Sequence, residues 1–88
     1  MVNAVELRQQ VMMLMQQHFK PQQLQVIDES HLHIGHQGAL PGHYHLALRI
    51  RANCFAGQNS VQIHRQIYHV LGALLKSSIH ALKIDAGS

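Results

Sequence analysis

The chain has 88 residues, 47% of them hydrophobic and 12% charged, with a net charge of +3 when histidine is counted neutral. That length supports one core and not a second. The apolar share excludes a disordered chain, and no apolar run approaches the ~18–20 residues that a helical membrane span needs.

Asn3 followed by Glu6 reads as a capping box that opens a helix, each side chain satisfying the other's orphan backbone donor. Ala4, Leu7, Val11, Leu14 or Met15, and Phe19 then recur at helical spacing. Lys20-Pro21 stops this helix, because the residue before proline disfavours the α region. Leu24 to Ile27 reads as a short strand running on into Asp28-Glu29-Ser30. His31 to Gly42 carries Gly35, Gly38, Pro41 and Gly42 as turn residues and is expected as an exposed loop.

His43 to Arg51 alternates. Tyr44, Leu46, Leu48 and Ile50 share one face, which turns to a core. His43, His45, Ala47, Arg49 and Arg51 share the wetter one. Asn53 to Asn59 is a turn-rich connection with Phe55 and Gly57. Asn59 with Gln62 caps the next helix, whose apolar stripe is Val61, His64, Ile67 or Tyr68, Leu71 and Leu75, ending near Ser77-Ser78. Ile79 to Asp85 is a final strand. The order αββααβ packs helices on a small three-stranded mixed sheet, an α+β fold. A helical crossover between the second and third strands makes them parallel. The whole chain, 1–88, is expected to be one domain with its core in about 3–85.

Two residue types stand out. Charged residues are about half the usual share, a deficit filled in part by nine histidines and a run of glutamines; below about pH 6 the histidines would add several positive charges. The single cysteine, Cys54, rules out an internal disulfide and fits a reducing compartment. With no signal-peptide layout at the N-terminus, the cytoplasm is expected.

Asp28-Glu29-Ser30-His31-Leu32-His33, Gly35-His36 and His43-Tyr44 resemble the first half of a BolA-like protein. Phe55-x-Gly57, Val61-x-x-His64-Arg65, Tyr68 and Leu71 resemble its helical motif, and Ile79-His80-Ala81-Leu82 its closing strand. One departure is Ile63, which stands where the family's helical motif carries an arginine. The resemblance spans roughly residues 3 to 85 and implies a class II KH-like fold. It also implies partnership with a monothiol glutaredoxin, apo or around a shared [2Fe-2S] cluster, and a transcription-regulator role for some bacterial members.

A [2Fe-2S] cluster accepts imidazole in place of thiolate on one iron. By position, the resemblance makes His80 one ligand and a loop histidine the other, His33 or its competitor His36. A glutaredoxin cysteine and glutathione would supply the sulfurs, and no cofactor is expected of the isolated chain. His43 and His45 read as solvated or helix-covered, His64 as a buried, hydrogen-bonded histidine, and His18 and His69 as surface residues. Cys54 matches no family ligand position and shows no sign of an activated thiolate.

Catalysis finds little support. The four carboxylates, Glu6, Asp28, Glu29 and Asp85, fall in no catalytic spacing with the histidines. His31-x-His33 lacks the partners of a dedicated zinc site. Nucleic-acid binding is the stronger alternative. Gly35-His36-Gln37-Gly38 has the form of a KH backbone clamp but lies between two strands. Segment 53–76 instead resembles a helix-turn-helix, with Gln62, Arg65, Gln66 and His69 outward and Arg49, Arg51 and Lys76 as further basic or polar contacts. So thin a basic content points to weak DNA binding.

Overall fold

The structure, a computed structural model, describes residues 3–29 and 44–88. The expected loop at 31–42 lies outside them, and with it His33, His36 and the Gly35–Gly38 segment; His43 does too.

Helix α1 (Ala4–Phe19) starts where expected, Asn3 Oδ1 accepting the Glu6 N–H at 2.8 Å, which is one half of the expected capping box. Leu7, Val11, Met15 and Phe19, four residues apart, form its buried row. Lys20 ends it in the left-handed region (φ 47°), its N–H donating to the Gln16 carbonyl at 3.2 Å. Strand β1 (Gln23–Asp28) follows, then β2 (Tyr44–Arg51). A 3-10 turn (Asn53–Phe55) leads to α2 (Ser60–Val70), α3 (Gly72–Ser77) and β3 (Ile79–Gly87).

Strand β2 is the centre of the sheet. It runs antiparallel to β1, with Val26 opposite Leu48, and parallel to β3, with Leu48 opposite Ile84. Directly paired residues share a face. Leu24 and Val26, Leu46, Leu48 and Ile50, and Leu82, Ile84 and Ala86 therefore turn to the helices. There they join Leu7, Val11, Met15, Ile63, Ile67 and Leu71 in one core, each large side chain contributing about 1.5–3 kcal/mol by leaving water. Phe55 closes one end of this core, its ring centre 5.0 Å from that of Phe19. Strand β3 runs two residues past the expected Asp85, because Arg51 pairs with Gly87 and the Ala52 N–H donates to the Gly87 carbonyl at 3.0 Å.

The second helical stretch differs from expectation in phase. Asn59 and Gln62 form the complete capping box. The buried row is Ile63, Ile67 and Leu71, whereas Val61 is 57% exposed and His64 only half-buried. Val61 lies two residues from Ile63, about 200° around the helix, and so faces away from the buried row. The stretch read as running on to Ser77-Ser78 is two helices, as the order αββααβ has it. Leu71 adopts φ −91°, ψ 7°, between helical and extended geometry, next to Gly72, a poor helix former. The hydrogen bonds still step through the break, from Leu71 N–H to the Ile67 carbonyl (3.0 Å) and from Leu75 N–H to the Leu71 carbonyl (2.9 Å).

Candidate functional site

His80 is the second residue of β3 and is exposed. The ladder is irregular at this point. Tyr44 pairs with Ile79, but the next residue of β2, His45, pairs with Ala81. His80 is therefore the extra residue of a register shift, and such irregularities re-aim side chains at the ends of sheets. Ile79, 4% exposed, anchors the strand in the core immediately before it.

The ring of His80 stands beside that of His45, with centres 5.1 Å apart and planes tilted by 52°. His45 corrects its expected setting. It lies on the sheet face away from the helices yet is only 7% exposed. The neighbouring His80 ring is one contact that covers it, and its carbonyl accepts the Glu29 N–H at 2.8 Å. Of the expected cluster ligands, only His80 falls among the described residues.

Farther along the same open face, Arg49, Arg51, Lys83 and Asp85 line up across β2 and β3. Asp85 Oδ1 accepts from Arg51 at 2.9 Å, and Arg49 stands 3.4 Å from Asp85 Oδ2. The Arg51 hydrogen bond, with the charges of both arginines, holds the Asp85 carboxyl below its ordinary range despite some opposing desolvation. Lys83 pairs with Glu29 at 3.2 Å.

The residues expected to contact nucleic acid do not share one surface. Arg49 and Arg51 lie on the sheet's open face, paired with Asp85. Gln62, Arg65 and Gln66 are on α2, which packs on the opposite face. Gln62 completes the Asn59 cap, and Gln66 donates to Gln58. Arg65, Lys76, His18 and His69 are exposed. A shallow cleft of 330 Å³ between α1 and α2 is lined by His18, Phe19, Arg65, Gln66, His69 and Val70.

Cys54 is exposed, its thiol 3.6 Å from the Phe19 carbonyl. It lies beyond the end of β2 opposite His45, roughly 20 Å or more away by strand rise, so it cannot join a site at His80. Among the described residues no group of three or more His, Cys, Asp or Glu is placed to hold a metal ion. Nor is any helix among them long and apolar enough to cross a membrane.

Residues 15–88 match the family model described as BolA-like protein. The chain belongs to the BolA-like family. The BolA domain of SufE1 from Arabidopsis thaliana superposes with a TM-score of 0.79 at 33% identity, over 99% of this chain and 94% of that one. In sequence, the SufE-like protein 1 of the same plant is 41% identical over 71 residues, which are 75% of this chain but 19% of that longer protein. An uncharacterized protein in the cobS 5′ region of a Sinorhizobium species is 41% identical over 69 residues, 76% of this chain and 74% of that one. The DNA-binding transcriptional regulator BolA of Haemophilus influenzae is 36% identical over 69 residues, 78% of this chain and 64% of that protein. BolA-like solved structures thus share the α+β fold of helices on a three-stranded mixed sheet.

Proposed function

We propose that this BolA-like protein works in the cytoplasm without catalytic chemistry of its own, as a partner of a monothiol glutaredoxin, and that it contributes imidazoles to a [2Fe-2S] cluster held between the two proteins. The observation that carries the reading is His80, an exposed imidazole on an edge strand, presented by a register shift directly after a buried anchor. The donor set fits such a cluster. The sequence has one cysteine, distant from His80, so this chain would offer nitrogen ligands while the partner and glutathione offer sulfur. His33 or His36 would be the second imidazole. Bound in that way, the cluster would supply redox or iron-transfer chemistry; the chain's own part is to present its ligands and to choose its partner.

The test mixes the protein with a monothiol glutaredoxin, glutathione, iron and sulfide. A visible charge-transfer spectrum distinct from that of the glutaredoxin homodimer is expected, and His80→Ala should abolish it. Because His80 is exposed, its removal leaves the core intact, and an unchanged spectrum in the variant would refute the ligand assignment.

A second reading, DNA-binding transcriptional regulation through segment 53–76, draws on the name of the Haemophilus relative. Its expected contacts are split between two faces, and two of its arginines are paired with Asp85. Sequence-selective binding that persists at physiological salt supports this reading, whereas binding that vanishes there with no sequence preference reduces it to charge attraction.

A further inference from the structure

The geometry points to a binding site for a single divalent transition-metal ion between His45 and His80, formed by this chain alone, without the glutaredoxin partner. Imidazole nitrogen suits zinc, copper, nickel and cobalt, and it binds in the neutral form that histidine ordinarily takes near pH 7.

The ring spacing is that of a chelate. A metal about 2.1 Å from each nitrogen, with the ring centre about 1.1 Å farther on, puts each centre about 3.2 Å from the metal; at a tetrahedral angle the two centres are then about 5.2 Å apart. The observed separation is 5.1 Å. At this spacing one ion can be held by both rings once a nitrogen of each is turned toward it.

The two histidines also differ in a way that suits a site. His45 is 7% exposed on the central strand, so its ring is held by its surroundings and little rotamer freedom is lost on binding. His80 is exposed on the edge strand, open to an arriving ion. Glu29, whose N–H donates to the His45 carbonyl, places a carboxylate on the same margin of the sheet, paired with Lys83. Because no third described donor completes the set, water or a ligand from outside would fill the remaining positions. The site would then bind exchangeably, in the manner of a sensor or a hand-over point. An ion seated there would also occupy the imidazole proposed for the cluster, so metal and cluster would compete for His80.

The test uses the isolated full chain, with no glutaredoxin, so its outcome is independent of the cluster reading. Zn²⁺ is titrated by calorimetry and Co²⁺ by its visible absorption, on wild type, His45→Gln, His80→Ala and the double variant His33→Ala/His36→Ala. One equivalent should bind to wild type. His45→Gln and His80→Ala should each weaken it by about tenfold or more, the scale on which even a lost supporting contact lowers metal affinity; the loop double variant should bind as wild type does. Glutamine keeps much of the volume and polarity of His45, and circular dichroism checks that the variant is folded. Ring nitrogen resonances add a readout that does not depend on variants, since those of His45 and His80 should shift together as Zn²⁺ is added. No binding to wild type, wild-type affinity in His45→Gln, or shifts confined to other histidines would each overturn the assignment.

Discussion

Arg51 donates to Asp85 twice, at 2.9 Å to the carboxylate and at 3.1 Å to the backbone carbonyl. With Arg49 on the other carboxylate oxygen, one acid on β3 holds two cations of β2 across the parallel pair.

This cluster gives stability a defined pH dependence. The folded pKa of Asp85 is lowered, chiefly by the Arg51 hydrogen bond. Its contribution is therefore fully present above the unfolded carboxylate pKa of about 3.9 and is lost as pH falls through the folded value. Urea unfolding between pH 6 and pH 2.5 should show wild type losing its advantage over Asp85→Asn in the acid range. Parallel curves for the two proteins would show that the pair contributes nothing measurable, as many exposed pairs do.

The same acid restrains the basic face. Asp85→Ala should raise non-specific affinity for duplex DNA at low salt. It should also steepen the plot of log K against log[salt] by about 0.9 for each arginine that gains a phosphate. An unchanged slope would place this face away from nucleic acid.

The phase of α2 makes opposite predictions for residues two apart. Ile63→Ala, at 4% exposure, should cost about 2–5 kcal/mol. Val61→Ala, at 57% exposure, should stay within roughly 0.5 kcal/mol of wild type. Denaturant midpoints at constant m-value separate the two.

Lys20 ends α1 at φ 47° and precedes a proline. A side chain in the left-handed region costs roughly 1–2 kcal/mol, against about 0.5–1 kcal/mol of extra backbone entropy lost by glycine. Lys20→Gly should thus stabilise the protein by about 0.5–1 kcal/mol, seen as a higher urea midpoint. A lower midpoint would mean that the lysine side chain makes a compensating contact.

Much of this fold is written in local pattern. The Asn3 and Asn59 caps, the stop at Lys20-Pro21 and the alternation of β2 are short-range signals, and each element they predict is present. His80 could be placed at the start of the last strand for the same reason. What could not be read is what depends on partners distant in sequence. Val61 and Ile63 are equally apolar, and only the docking of α2 on the sheet decides which is buried. His45 alternates with the core residues of β2 and so reads as wet; its burial comes in part from His80, 35 positions away. The break at Leu71 needs one backbone angle, which leucine itself does not encode. The register shift is a property of two strands together, and no single strand announces it.

That shift has a consequence for how the chain can change. Removing one residue between Ile79 and Ala81 would let the parallel ladder run on without interruption, a gain in regularity that would cost the protein its outward imidazole. Substitution elsewhere on β3 leaves this choice untouched. A descendant that tightened its sheet there would keep its architecture and lose the imidazole proposed here as a metal ligand, so under that proposal length at this one position is what drift should be least free to alter.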